Sequence, residues 1–195
     1  MDSSLREFCA RTGADFKQLS EKYDPKRRIG RKEKTSRFET ALEALYWQAV
    51  RSRKLGISWR KFHVGCVAYG YRPDVVRFED HWKVFYGMNS KVAETERNTC
   101  AEPICLTTAL AWGCTEIIGL VVVGETQKDE KGVTHPTLRP CEHCRRLMKS
   151  HPLIKPHTII VTANPPPRRR TVSFKKDVKF EVHTFTELIA SYGES

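Results

Sequence analysis

Three thiols and one carboxylate stand at spacings that could do chemistry. Thr99-Cys100-Ala101-Glu102 offers a thiol with a carboxylate two residues on, and Pro140-Cys141-Glu142-His143-Cys144 offers two thiols three residues apart. A Cys-x-x-Cys step at the start of a helix puts both sulfurs on one side of the first turn, where unpaired N–H groups and the helix dipole favour thiolate. With Cys100 brought by a second helix, these are three ligands for a zinc ion that keeps one coordination place open. Water in such a place has its pKa lowered from 15.7 to about 7, which readies a nucleophile for an sp2 carbon. Glu102 is close enough to the metal to carry protons from that water to a ring nitrogen and a leaving amine without ligating.

Each piece also has a plainer explanation. Thr99 and Glu102 fit a capping box, which makes Glu102 only a helix-start residue. Cys-x-x-Cys alone fits a redox pair or half of a four-cysteine structural site, and seven cysteines supply candidates for a fourth ligand. Cys105 and Cys114 are nearest to Cys100, but they read as small core residues in or just after its helix. The combination separates these readings. Cys-x-Glu heading one helix and Pro-Cys-x-x-Cys heading another, with a hydrophobic strand between, is the pattern of zinc-dependent deaminases.

From about Phe38 onward the chain resembles the cytidine deaminase family. Phe62-His63-Val64-Gly65, Asn89-Ser90-Lys91, Cys100-Ala101-Glu102, Pro140-Cys141-Glu142-His143-Cys144-Arg145 and Glu187-Leu188-Ile189 follow one another in the family's order. A Cys rather than a His as first ligand is similar to the cytidine branch. The resemblance implies Zn2+ on Cys100, Cys141 and Cys144, Glu102 as catalytic acid and base, Phe62 stacking on a pyrimidine, and Asn89 bonding a ribose. It also implies that Ala101 lies against the substrate and that Tyr192 covers the site of a neighbouring subunit in a homo-oligomer. Two departures matter. The family's ribose-binding Glu falls on Lys91, which points away from plain cytidine toward a modified or phosphate-bearing nucleoside. Pro103 stands where some members carry an Arg that offsets the thiolate charge, which makes Arg145 the candidate for that supporting role. His63, in place of a proline, reads as a packing residue.

Elements must position these groups. The spacing of Phe38, Ala41, Leu42, Leu45 and Ala49 predicts a helix from a Ser36-Arg37-Phe38-Glu39 capping box to about Leu55-Gly56. Strands are expected over Phe62–Tyr71 and Trp82–Met88 around an Arg72-Pro73-Asp74 turn. Ile104, Leu106, Ala109 and Leu110 mark a helix from Cys100 to Trp112, stopped by Gly113. The β-branched run Ile117–Val123 reads as a central strand covered on both faces, and His157–Thr162 as another buried one. Between them lie a polar excursion from Gly124 to Arg139 and a short helix over Cys141–Lys149. Lys179–His183 is expected as an edge strand and Thr184–Tyr192 as the closing helix. The sum is an α/β three-layer sandwich around one mixed sheet of about five strands, a catalytic domain over 36–195 behind an N-terminal extension over 1–35.

The extension holds a basic run over 26–34, and a second basic stretch over 168–176 follows three prolines. With 34 Lys and Arg against 23 Asp and Glu, the formal charge of +11 fits a phosphate-bearing partner, so a nucleic-acid-editing deaminase stays open as an alternative. A third reading is a zinc-binding scaffold without activity. No stretch is long and apolar enough to span a membrane, the first residues do not read as a secretory signal, and the cysteine count suits a reducing compartment, so a cytoplasmic protein is expected.

Overall fold

The computed structural model describes residues 37–75, 81–92, 98–167 and 172–193. The basic run over 26–34, the Ser36 cap, the extension and Arg168–Arg170 lie outside them. Along the chain run α1 (Arg37–Leu55), β1 (Ile57–Ser58), β2 (Val64–Tyr71), β3 (Trp82–Met88), β4 (Ser90–Lys91) and α2 (Ala101–Ala111). Then follow β5 (Glu116–Gly124), α3 (Glu142–Ser150), β6 (Ile159–Ala163), α4 (Phe174–Asp177), β7 (Phe180–Thr184) and α5 (Phe185–Ala190).

Five strands form one mixed sheet in the order β3-β2-β5-β6-β7, as expected. The β5–β6 pair is parallel, bridged by α3, and the other three pairs are antiparallel. Burial follows this order. The β5 run is buried from Ile117 to Gly124, the mark of a central strand, whereas β3 at one edge alternates between buried and open positions. Between Tyr69 and Gly70 the β2–β5 register slips by one residue, leaving Ile118 as the extra one. The bulge turns Ile118 toward α1 while Ile117 and Leu120 face the opposite side.

Helices cover both faces, so the sandwich has three layers. One face packs Val67, Tyr69, Val121, Val123 and Val161 against the α1 stripe Leu42, Leu45, Tyr46, Ala49 and Val50. The other packs Cys66, Ala68, Leu120, Val122 and Ile160 against α2, α3 and α5.

Three details differ from the sequence reading. The buried stripe of α2 is Ala101, Glu102, Cys105, Leu106 and Ala109, and Leu110 is exposed. Besides Leu106 the residues of the core stripe are small, Ala101, Cys105 and Ala109, and α2 lies close to the sheet: a Cβ on Gly87 of β3 would stand 2.1 Å from the Ala101 carbonyl oxygen. A two-residue parallel ribbon, β1 with β4, escaped the reading because it is too short for a periodic signal. So did α4, one turn long.

The topology places the site. β3 ends at Met88 opposite Gly65, and β5 ends at Gly124 opposite Val64. Both strands therefore finish at one end of the sheet, and from that end the chain runs on into α2 and α3.

Candidate metal and catalytic centre

Cys100 and Cys141 are the N-caps of α2 and α3, both in extended backbone, and Cys144 sits in the first turn of α3. With Cys100 rather than Thr99 at the cap, Glu102 becomes the second helical residue, and the Thr99–Glu102 capping box is not formed. The carboxylate is left to face the sulfurs.

The sulfurs of Cys100, Cys141 and Cys144 lie within 4.8 Å of one another. Cys100 Sγ and Cys141 Sγ are 3.9 Å apart, far beyond a disulfide bond. Tetrahedral zinc with Zn–S near 2.3 Å sets its sulfurs about 3.8 Å apart, which the Cys100–Cys141 pair matches and the trio, within 4.8 Å, approaches. Among the described residues no fourth His, Cys, Asp or Glu joins the group. The trio shares its protons unequally. Hydrogen bonds from Cys100 and Cys144 and the backbone N–H of Cys144 hold the Cys141 thiol well below its ordinary range. Those same sulfur contacts push Cys144 up, and the contact with Cys141 raises Cys100. One ready thiolate beside two thiols that resist ionising next to it is a donor set that a soft divalent cation completes by displacing protons.

Glu102 is 4 % exposed. Burial, and after it the negative charge on Cys141, push its carboxyl up to about 7, while its own backbone N–H, a hydrogen bond with Cys144 and the Lys91 ammonium pull the other way. A carboxyl poised near neutrality beside three sulfurs can both take and return a proton.

The remaining residues fall at different depths. Phe62 packs, half-buried, against the core on the α2 side. Asn89 is buried, its Oδ1 accepting from Val64 N–H at 2.7 Å and its Nδ2 donating to the Phe62 carbonyl at 2.8 Å, so its amide fixes the backbone on both sides of His63. His63 is a packing residue here, with Nδ1 3.0 Å from the Gly56 carbonyl oxygen. Ala101 is fully buried where α2 meets β3. Lys91 stands beside the site because Ser90 pairs with Thr99 through two 2.9 Å hydrogen bonds, one residue before Cys100.

Arg145 is 1 % exposed, so it is no solvated surface arginine. Nη1 donates to the Pro140 carbonyl at 3.0 Å, Nη2 pairs with Glu130, and the guanidinium lies 3.7 Å over the Tyr192 ring. It thus braces the turn leading into Cys141. Tyr192 is buried in this clamp, its carbonyl accepting from Lys131 Nζ at 2.6 Å. The parts played by Glu130 and Lys131 were not legible in the polar excursion, where no periodicity marks residues whose partners lie 15 and 61 positions away.

Such a sheet, with three sulfurs and a buried carboxyl at the heads of two helices, defines the class of zinc-dependent deaminases. The family described as the cytidine and deoxycytidylate deaminase zinc-binding region matches residues 39–161, and the chain belongs to that family. It is a hydrolase of C–N bonds in cyclic amidines, and its metal is Zn2+. Among solved structures it is similar to the cytidine deaminase from Burkholderia pseudomallei, at 27% identity and a TM-score of 0.53 over 75% of this chain and 94% of that one. It is more distantly similar to the cytidine deaminase from Mycobacterium leprae, at 23% identity and 0.44, over 61% and 85%. No curated protein matches it in sequence. No helix of the described residues is long and apolar enough to cross a membrane.

Proposed function

We propose that the protein replaces the exocyclic amine of a cytosine-type base by a carbonyl, releasing ammonia, on a free nucleoside or a modified or phosphorylated nucleoside. The convergence of three sulfurs within 4.8 Å, with a buried carboxyl beside them, carries this reading. Cys100, Cys141 and Cys144 hold the zinc. Zn2+ there supplies the Lewis acidity that makes solvent nucleophilic near neutral pH. The Glu102 carboxylate takes one proton from the attacking water and gives it to the ring nitrogen, then carries the second, from the hydroxyl formed on the ring carbon, to the departing amine, which leaves as ammonia. Water adds to the ring carbon, the C–N bond breaks, and the carbonyl remains.

Phe62 and the backbone at Ala101 face the base. Asn89 keeps the Phe62–Val64 backbone in place and stands at the sugar side with Lys91. An ammonium at that place disfavours an unmodified sugar and favours an anionic substituent. Arg145, gripping the Pro140 carbonyl, holds the turn that aims Cys141, and Tyr192 backs it. A homo-oligomer in the cytoplasm completes the proposal. An inactive scaffold is disfavoured, since a structural zinc site is closed by four protein ligands and this group has three among the described residues.

Ammonia release from cytidine, deoxycytidine, their phosphates and cytosine-bearing antibiotics tests the proposal, with zinc analysis of the same preparation. Glu102→Gln is expected to abolish turnover while zinc stays near one per chain. Turnover surviving in that variant overturns the role given to Glu102. Lys91→Glu is expected to raise activity on plain cytidine, and no gain would show that this position does not set the preference.

A further inference from the structure

Along β4 the chain makes a turn that the catalytic reading leaves unused. The Ile57 N–H donates to the Asn89 carbonyl and the Trp59 N–H to the Lys91 carbonyl, both at 3.0 Å, which lays β1 along β4. Ser58 then closes the turn twice: its carbonyl accepts from Lys61 N–H at 3.0 Å and its hydroxyl from Phe62 N–H at 3.2 Å. Lys61 takes a left-handed φ of 56°, a conformation a side-chain-bearing residue adopts only where its surroundings hold it. The turn holds out Trp59, 44% exposed, with the Arg60 guanidinium 4.5 Å over its ring.

The surroundings of this indole are basic and apolar. Lys54, Arg60 and Lys61 are exposed, and Lys91 lies across the ribbon. Ile57, Leu55 and Val92 are 56%, 68% and 72% exposed on the same rim. The rim reaches the metal centre in two steps: Ser90 of β4 pairs with Thr99, and Thr99 precedes Cys100.

The geometry points to this rim as a seat for single-stranded nucleic acid, with a base stacking on Trp59 and the phosphates on either side meeting Arg60, Lys61 and Lys91. Three observations choose this occupant. A flat aromatic ring among cations suits a ligand that alternates bases with phosphates, because every base has a face to stack and every linkage a charge. The chain's +11 draws a polyanion toward it. The rim is continuous with a site whose chemistry acts on a nucleobase, so a strand lying on it passes the zinc centre. The inference concerns binding and stands apart from the free-nucleoside reading.

Fluorescence anisotropy of a labelled 12-residue oligothymidylate, titrated with the full chain at 50 and 200 mM salt, tests it. Binding should weaken steeply with salt, since each neutralised phosphate releases counterions. Trp59→Ala should weaken binding about tenfold and Trp59→Phe, which keeps a stacking ring, much less. Arg60→Glu should cost more affinity than Lys149→Glu, which makes the same charge change on the far part of α3. Glu102→Gln should bind as the wild type does, so a failed catalytic reading leaves this result standing. A thermal melt of each variant identifies any that misfold, and the phenylalanine and charge variants then carry the comparison. Absence of salt-sensitive binding, or equal affinity for wild type and Trp59→Ala, overturns the inference. So does light scattering in which Trp59→Ala breaks an oligomer, or loss of binding to phosphatidylserine vesicles, if oligothymidylate affinity is unchanged; the rim then belongs to a second copy or to a lipid surface.

Discussion

The two faces of the sheet are built from different stock. Against α1 the sheet sets Tyr69, Val121 and Val161, and the helix answers with Leu45, Tyr46 and Val50. Aromatic rings thicken this layer: Tyr46 packs on Phe174 with centroids 5.1 Å apart, and Tyr69 stacks on Trp82 at 5.4 Å. Against α2 the sheet sets Cys66, Ala68 and Gly87, and the helix answers with Ala101, Cys105 and Ala109. Large side chains hold a helix off by their own bulk, whereas small ones let its backbone come down onto the strands. The close approach brings the first turn of α2 to the strand ends, where Cys100 meets the head of α3. Charge follows the same division. Among the described residues the buried carboxyl of Glu102 and guanidinium of Arg145 lie on the α2 and α3 side, together with the Thr137–Thr162–Glu181 ladder. The contrast suggests one face that carries stability and another that gives some of it up for chemistry.

The sharpest way to break that contrast is to remove a sulfur. Cys144→Ala is expected to drop zinc from near one to near zero per chain and activity to background, read by metal analysis and ammonia release. A variant that keeps its zinc would show that two sulfurs suffice and that the face is less committed than its packing suggests.

Gly87→Val attacks the close approach without touching a functional group. Its Cβ would meet the Ala101 carbonyl at 2.1 Å and Cys105 Sγ at 2.9 Å, so α2 must move. The expected result is a fall in thermal midpoint of several degrees together with lower zinc occupancy. Gly65→Ala is the partner experiment on the other face, where a Cβ would meet the Ala49 carbonyl at 2.0 Å. There the midpoint should fall while the molecules that remain folded keep their zinc.

Leu45→Ala empties part of the α1 layer. A loss of about 2–5 kcal/mol in denaturant unfolding is expected, with turnover per folded molecule unchanged at low temperature. Loss of turnover in the folded fraction would mean that the two layers are coupled through the sheet.

The smallest effect is expected at Glu181. Burial alone would raise its carboxyl, but hydrogen bonds from Arg139 Nη2 at 2.8 Å and Thr137 Oγ1 at 2.5 Å outweigh that and hold it below the ordinary carboxylate value of 4.5. A group held low adds stability that is complete above its unfolded value and disappears as pH falls through the folded one. The wild-type midpoint should therefore decline from about pH 5 downward, and Glu181→Gln should start lower at pH 7 and lose less over that range. Parallel profiles would show that the ladder packs without adding charge-dependent stability.

Much of this division was readable along the chain. The buried β5 run, the edge position of β7, Leu42, Leu45 and Ala49 of the α1 stripe and the two cysteine-bearing helix heads all followed from local signals of periodicity, turn residues and ligand spacing. The closing helix expected from Thr184 is there over Phe185–Ala190, and the structure adds a capping box at its head, with Thr184 Oγ1 accepting from Glu187 N–H at 3.1 Å. What escaped was short or depended on distance. The β1–β4 ribbon has two residues on each side, too few for a period to register. On α2, Leu106 and Ala109 are buried as read, whereas Ile104 is half-buried and Leu110 exposed, because proximity to β3 puts Ala101 and Cys105 on the buried side instead.

Residue types and their spacing were enough to declare a zinc chemistry, a proton carrier and the kind of sheet that would hold them, because ligand identity and hydrophobic period are properties of neighbouring positions. Only the folded chain decided that Cys100 and Cys141 meet at 3.9 Å, that Arg145 turns to Pro140 and Tyr192, and that Trp59 stands exposed beside Lys91. Those outcomes depend on which strand ends coincide and how closely a helix can lie on the sheet, and neither is written in any single stretch of the sequence.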